Sequence, residues 1–342
     1  MKAIWIDIDN PPQVQYLLPF RRYFLDYGFQ VILTARDNGI TKDLLDNFNL
    51  EYYLIGRSFG KSRLKKIMGV VARSSFLLLR VTRSRPVLSL SSSRSSSLAA
   101  FLLRIPSFIF CDYEYADLTL YRIFNSIIIH PDIIPQTFFI SRGFKKDNLI
   151  PYKGLKEDFT FDSMSTSEFQ SCDFEREFND YCKVLLRPPA EQSHYYVSRS
   201  GEMTYKLLEN LSLKSNVKLI YSPRYDWQIK MLERFKWMND PIIIGGGIHF
   251  IKLLNSIDLV ISSGGTMLRE AAYLDIPAYS LFQSEIGAVD RYLESNGKLV
   301  FIRNTDDFHK ISFNVRDKKS SKYFDNSNKI KDLISQILSK CE

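Results

Sequence analysis

The sequence predicts an α/β protein built from two doubly wound domains, and three observations carry that prediction. Short apolar runs alternate with helix-forming stretches along both halves of the chain, the pattern of parallel sheets covered by helices. The 342 residues suffice for two separate cores. The alternation breaks once, across residues 156–180, where Glu157, Asp158, Asp162, Ser163, Glu168, Asp173 and Glu175 leave no apolar period. That break reads as an interdomain connection. The expected division is a domain over 1–155, a connection over 156–180, a second domain over 181–325 and a terminal segment over 326–342.

In chain order, Ala3 to Ile8 reads as the first strand. Asn10-Pro11-Pro12 reads as a stiffened turn before a helix over 14–27 that Gly28 stops. Strand 30–34, helix 41–48, strand 51–55 and a long helix 62–82 follow. Strand 87–90 runs into a serine-rich turn, Ser89 to Ser97 broken by Leu90 and Arg94, ahead of a helix over 98–104. Strands 106–111 and 126–130 complete the first sheet. The second domain reads as strand 182–187, helix 196–211, strand 217–221, helix 226–235, strand 242–244 and helix 248–256. Strand 257–261, a glycine turn and helix 266–274 come next. Asp275-Ile276-Pro277 stops that helix before another strand, and a strand over 298–302 and an amphipathic helix over 327–338 end the chain.

The apolar share of 45% and charged share of 25% are those of a soluble globular protein. Cys111, Cys172, Cys182 and Cys341 form no C-x-x-C pair, so neither a disulfide framework nor a thiolate zinc site is indicated, and a reducing cytoplasm fits. The histidines at 130, 194, 249 and 309 are dispersed, so no metal is expected. Asp7 and Asp9 interrupt the apolar N-terminus, which reads as a strand and not a signal peptide. No apolar run reaches the roughly 18–20 residues of a spanning helix.

The net charge of +8 is concentrated. From Tyr52 to Cys111 there is no Asp or Glu, while eleven Lys and Arg fall there, so the remainder of the chain is net negative. In the 62–82 helix, Leu64, Ile67, Met68, Val71, Ser75, Leu78 and Thr82 share one stripe, and Arg63, Lys66, Arg73 and Arg80 share another. The expectation is a core-packing apolar stripe and a solvated basic face. Peripheral contact of the basic 57–85 segment with an anionic membrane is the alternative. No nucleic-acid-binding motif accompanies the segment, so nucleic acid is not an expected partner.

In doubly wound sheets ligands bind beyond the carboxyl ends of the strands, which selects a short set of residues. Ser263, Gly264, Gly265 and Thr266 form a strand-to-helix turn with Glu270 one turn on. Glycines allow positive φ, and the unpaired N–H groups of a helix start attract anions. An anion site and an ordinary turn with a surface Glu both fit that pattern. Arg187 and Arg224 end two other strands, and Arg is a natural phosphate partner. In the first domain Asp7 and Asp9 lie on one side of their strand, with Asp9 the candidate general base and Asp7 read as structural. Asp112 and Glu114 end another strand beside tyrosines, where burial would raise a carboxyl pKa. Ser93 and Arg94 could cap a helix or offer donors to an anionic or hydroxylated ligand.

These motifs together resemble a prokaryotic family of uncharacterised, predicted glycosyltransferases. The likeness runs through Trp5-Ile6-Asp7-Ile8-x-Asn10-x-Pro12, Thr34-Ala35-Arg36-Asp37, Ser93-Arg94-Ser95, Asp112-Tyr113-Glu114-Tyr115, Arg187-Pro188, Ser263-Gly264-Gly265-Thr266-Met267-x-Arg269-Glu270 and Ala288-Val289-Asp290-Arg291. More distantly, the glycine turn followed by Glu is similar to the donor site of GT-B glycosyltransferases such as the muramyl GlcNAc transferase, and of UDP-GlcNAc 2-epimerases. The resemblance implies a GT-B fold, two Rossmann-like domains facing a cleft, with the terminal helix crossing back to the first. It also implies that Gly264, Gly265 and Thr266 meet a diphosphate, Glu270 a ribose, and Asp290 and Arg291 the donor sugar. The acceptor side would use Asn10, Gln13, Ser93 and Arg94. Two positions depart from the family pattern. Gln13 and Gln15 stand where a histidine is expected, which removes the obvious base, and Asp275 stands where glycine is usual.

The expectation is a cytoplasmic glycosyltransferase that moves a sugar from a nucleotide diphosphate sugar, UDP-sugar favoured, to an acceptor in glycan or glycolipid biosynthesis. The nucleotide sugar is its co-substrate and no other cofactor is expected. The first alternative is a sugar-nucleotide 2-epimerase. Asp112 and Glu114 could serve its elimination and re-addition, although the acid that epimerases carry after the fourth strand is serine here. A non-catalytic sugar-nucleotide or polyanion-binding protein is the second alternative.

Overall fold

A computed structural model of the chain describes residues 2–38, 40–57, 63–165, 172–191, 198–245, 250–317 and 323–341. It divides into two units, Met1–Met164 with Phe324–Glu342, and Ser165–Tyr323.

In the first unit β1 (Ala3–Ile8), α1 (Pro11–Asp26), β2 (Gln30–Asp37), α2 (Thr41–Asn47), β3 (Tyr53–Arg57), α3 (Arg63–Val81), β4 (Pro86–Ser91) and α4 (Arg94–Leu103) alternate. They are followed by β5 (Ser107–Phe110), α5 (Thr119–Ile123), β6 (Ile127–Pro131), α6 (Gln136–Ser141), β7 (Leu149–Tyr152) and α7 (Lys156–Thr160). The sheet is parallel in the order β3-β2-β1-β4-β5-β6-β7. All six residues of β1 are buried, as a central strand with helices on both faces requires. One face packs α1 and α2 around Ile4, Ile6, Phe20, Phe24 and Phe108; the other packs α3 and α4 around Trp5, Leu77, Val81, Ala99 and Ala100.

The second unit's share begins after β8 (Met164–Ser165) and runs through α8 (Phe174–Glu177), β9 (Cys182–Arg187), α9 (Ser198–Ser212), β10 (Val217–Tyr221), α10 (Asp226–Ile229), β11 (Ile242–Ile243) and α11 (Phe250–Ser256). β12 (Leu259–Ser262), α12 (Thr266–Tyr273), β13 (Ala278–Ser280), α13 (Ala288–Ser295) and β14 (Val300–Phe301) follow. β15 (Tyr323–Phe324) pairs with β8, and α14 (Ser327–Ser339) ends the chain. The sheet order β11-β10-β9-β12-β13-β14 repeats the first unit's logic: strands add outward one way, then the chain returns to the middle and adds the other way. Each sheet therefore has one switch point, between β1 and β4 in the first unit and between β9 and β12 in the second.

The expected alternation holds, with local differences that have physical causes. Pro11 and Pro12 are the first two residues of α1, since helix starts need no N–H there and proline's φ is already helical. The serine run does not precede its helix but begins it, with Ser93 as N-cap accepting from Ser96 N–H. β7, a strand not expected from the sequence, carries Pro151, tolerated because β7 is an edge. Residues 156–164 are not a connection. Every residue of α7 is buried, and α7 packs on α1 and α14. Helix α14 lies in the first unit, with Ile330, Leu333, Ile334 and Ile337 in its core.

The largest correction concerns α3, which faces the other way. Arg73, expected on the solvated basic side, is 2% exposed, and Ile67, Met68 and Val71 of the expected core stripe are exposed. Residues 58–62, including Lys61, lie outside the described residues, as do the side chains of Arg63 and Lys66.

Candidate functional site

The second unit's switch point collects the glycine turn. Arg187, at the end of β9, lies in register with Ser262 at the end of β12. The chain then passes through Gly264 and Gly265, both at φ 93°, and enters α12 at Thr266 with Gly265 as a cap that has no side chain. The first N–H groups of α12 have no partner within the helix. A Cβ on Gly264 would come 3.1 Å from the Phe282 ring, whereas one on Gly265 would meet nothing within 4 Å. Gly264 is thus fixed by both conformation and crowding, and open space lies in front of Gly265. Ser262 and Ser263 hold buried hydroxyls without a hydrogen-bond partner among the described residues, which an anion would satisfy.

Glu270 is buried, 3% exposed, on the first turns of α12. Its neighbour Arg269 clamps Asp290 of α13 in a two-point ion pair of 2.7 and 3.0 Å. Both Asp290 oxygens are therefore committed to Arg269, while Arg291 follows it on α13. Arg224 is held after β10 by its own Nε donating to Pro188 O at 3.1 Å, which places it beside the segment that Arg187 begins. Asp275 adopts φ 61° at the end of α12, the left-handed conformation that Asp tolerates where glycine is absent.

The first unit's switch point is filled by the chain's own charges. Arg73 reaches in from α3 and donates to Asp7 through Nη1 at 2.9 Å and Nη2 at 2.7 Å, to Ser93 Oγ at 2.9 Å, and through Nε to Ile55 O at 2.9 Å. Its aliphatic part lies where a Cβ on Gly56 would stand, 2.9 Å away. Thr34 Oγ1 donates to Asp7 at 2.6 Å and accepts from Trp5 Nε1 at 2.8 Å. Asp7 is thus structural, as the sequence suggested.

Asp9 lies one side-chain repeat further on, within 3.2 Å of Arg36 and 3.4 Å of Arg73. Burial outweighs both arginines and Asp7's repulsion adds to it, so the Asp9 carboxyl is raised above its usual range. Arg73 stays charged: burial opposes it, and the Asp7 and Asp9 carboxylates more than compensate. Gln13 Oε1 accepts from Asp9 N–H at 2.6 Å, and Asn10 Oδ1 accepts from Asn38 at 2.7 Å. Gln13 therefore shapes the β1–α1 turn, and its amide cannot titrate as a base.

Further along the same sheet edge, Asp112 follows β5 and is ion-paired with Lys156 of α7. Tyr16 OH shares a hydrogen bond with Ser92 Oγ at 2.8 Å. Glu114 is buried, and its carbonyl accepts from Arg142 at 2.8 Å. Burial pushes the Cys111 thiol up to about 12, so it stays protonated. Arg94 turns to Asp117, 3.3 Å away. The structure thus groups Asp9, Asn10, Gln13 and Ser93 at one switch point and Arg187, Ser263, Gly264, Gly265 and Thr266 at the other. The sequence marked Arg36 only within the family motif, put Arg73 on a solvated face and gave no sign of Lys156, because a basic residue in a helix or strand carries no sign of what it will meet.

Among the described residues no group of three His, Cys, Asp or Glu side chains is placed to hold a metal, and no helix is long and apolar enough to cross a membrane.

The fold is that of known proteins. The chain is similar to UDP-GlcNAc 2-epimerase from Neisseria meningitidis bound to UDP-GlcNAc, with TM-score 0.72 and 12% identity over 99% of this chain and 100% of that one. It is also similar to the Rickettsia bellii UDP-N-acetylglucosamine 2-epimerase (TM-score 0.71, 15% identity, 100% and 97% covered). A third is the Methanocaldococcus jannaschii UDP-GlcNAc 2-epimerase in complex with UDP-GlcNAc and UDP (TM-score 0.69, 15% identity, 98% and 99% covered). The architecture is accordingly GT-B-like. In sequence the chain is 26% identical over 329 residues to a Methanocaldococcus jannaschii protein described as uncharacterised, spanning 92% of this chain and 91% of that one. Residues 2–340 match the family described as protein of unknown function (DUF354), and the chain belongs to that family.

Proposed function

We propose that the second unit binds a nucleotide diphosphate sugar and that the protein transfers the sugar to an acceptor hydroxyl. The observation that carries this reading is the register of Arg187 with Ser262 at a switch point whose next residues are two positive-φ glycines opening a helix. A diphosphate there would accept from the α12 N–H groups and from Ser263 and Thr266, with Arg187 and Arg224 opposing its charge. Glu270 would accept from the ribose hydroxyls. Arg291 would serve the sugar, and Asp290 would act through its clamp on Arg269. Breaking the bond between the anomeric carbon and the diphosphate oxygen leaves charge on the diphosphate, which the helix terminus and arginines stabilise. The acceptor oxygen forms the new bond to that carbon. Its proton goes to Asp9, whose raised pKa suits a general base, with Asn10, Gln13, Ser93 and Arg94 on the acceptor side. Glu114, buried further along the same sheet edge with Asp112 beside it, is the alternative carboxylate for that proton. A UDP donor is favoured by the ligands named in the neighbouring epimerase structures.

Those neighbours also favour a second reading, 2-epimerisation of a sugar nucleotide. Two measurements separate the outcomes. Calorimetry with UDP and UDP-GlcNAc should show binding that Glu270→Ala weakens about tenfold or more, the scale of one lost charged hydrogen bond. Unchanged binding in that variant sinks the donor-site assignment. Incubation with UDP-GlcNAc alone should leave it unchanged; formation of the 2-epimer without acceptor would replace transfer with epimerisation.

A further inference from the structure

The outward face of α3 is apolar. The helix turns Arg73, Ser74, Leu77 and Val81 inward and leaves Ile67, Met68, Val71, Phe76 and Leu79 in solvent, with Met68 67%, Phe76 60% and Leu79 73% exposed. At roughly 100° per residue these five fall within one half of the helix surface. Phe101 and Leu102 are likewise exposed at the end of α4, which packs beside α3 in the same helical layer. Single exposed apolar residues are ordinary, but a contiguous row marks a surface that is covered in use. Arginines border it. Arg83 and Arg85 are exposed just beyond α3, Arg104 is exposed at the end of α4, and Arg80 lies 3.4 Å over the Tyr53 ring. No carboxylate occurs in the sequence from Tyr52 to Cys111 to offset them.

We propose that this face docks the first unit on an anionic lipid bilayer, with the apolar row entering the interfacial region and the bordering arginines meeting lipid phosphates. Charge decides the occupant. A second copy seated on the same face would set one arginine border against another, which repels. A bilayer rich in anionic lipid is complementary to the apolar row and to its border at once. Among the described residues this face is formed by α3 and α4, and it does not depend on the reaction the protein performs. The inward-facing Arg73 explains its existence: pairing with Asp7 fixes the rotation of α3 about its axis, and the apolar stripe is left outside.

Co-sedimentation of the full chain with vesicles tests the proposal. Binding is expected to vesicles containing phosphatidylglycerol, and to be on the order of tenfold or more weaker to pure phosphatidylcholine. The double variant Met68→Ser with Leu79→Ser should lose most binding at low and high salt alike, since it removes exposed apolar surface only. Arg83→Glu with Arg85→Asn should lose binding mainly at low salt; asparagine suits the φ of 45° at position 85. All four side chains are exposed, so thermal midpoints should match wild type and exclude misfolding as the cause. Failure of wild type to sediment with phosphatidylglycerol vesicles at low salt overturns the proposal. So does a lipid-free dimer by light scattering that the serine pair converts to monomer, which would give the face to a second copy.

Discussion

Asp9 is a carboxylate on which burial and neighbouring charge pull in opposite directions. Arg36 and Arg73 favour its ionised form, yet burial prevails and its folded pKa stands above the usual 3.8. The folded state therefore binds this proton more tightly than the unfolded chain does. Stability from that proton is fully present below about pH 3.8, and is lost as pH rises through the folded value. At neutral pH ionised Asp9 is a cost. Asp9→Asn is expected to leave the thermal midpoint at pH 7 unchanged or higher, with the difference narrowing as pH falls toward 4. Parallel melting curves across that range check it, and a markedly lower midpoint at pH 7 would show that the arginine pairs outweigh burial. Turnover in the same variant should be lost, the combination expected of a group kept for chemistry. The sequence marked Asp9 because it ends a strand, but it could not show Arg73. That partner comes from a helix more than sixty residues away in the chain, and a charge pair of such separation leaves no local pattern.

The β12–turn–α12 element shows how conformation and crowding divide between two adjacent glycines. Both sit at φ 93°, where an L-residue is strained by about 1–3 kcal/mol. Only Gly264 also has a ring in the way. Gly264→Ala should therefore lower the denaturation midpoint more than Gly265→Ala, with both below wild type, and urea titration resolves the order. Equal losses would mean that Phe282 moves aside at no cost. This element was almost fully readable beforehand, because strand period, glycine pair and helix formers are consecutive and short-range physics decides them. The serine run before α4 was read less well. The capping role of its hydroxyls holds, with Ser93 as the cap, but α4 starts at Arg94 and not near Leu98, and Ser93 also accepts from Arg73, a partner that only the tertiary structure supplies.

At the scale of the whole molecule the chain leaves the first unit after Met164 and returns at Phe324. Its last helix supplies Ile330, Leu333, Ile334 and Ile337 to the first unit's core. At about 1.5–3 kcal/mol per buried aliphatic side chain, their loss rivals the 5–15 kcal/mol that typically holds a domain. A chain truncated before Asn326 is expected to keep a protected second unit, which has its own core around Val184, Leu207 and Ile261, while the first unit exchanges its amide hydrogens freely. Hydrogen exchange by mass spectrometry distinguishes the two. Retained protection of β1 and β4 in the truncated chain would show that α14 is dispensable.

Composition, alternation and turn chemistry by themselves determined two doubly wound sheets and the glycine turn that opens α12. These are consequences of neighbours in sequence, and periodicity records them directly. The tertiary structure alone decided that 156–164 belongs to the first unit, that Gln13 supports a turn, and above all which side of α3 faces inward. The apolar stripe of α3 argued for one rotation. Asp7, buried on β1 between β2 and β4, is met there by Arg73 and goes with the other, because a buried carboxylate left without its cation is destabilising by about 3–5 kcal/mol.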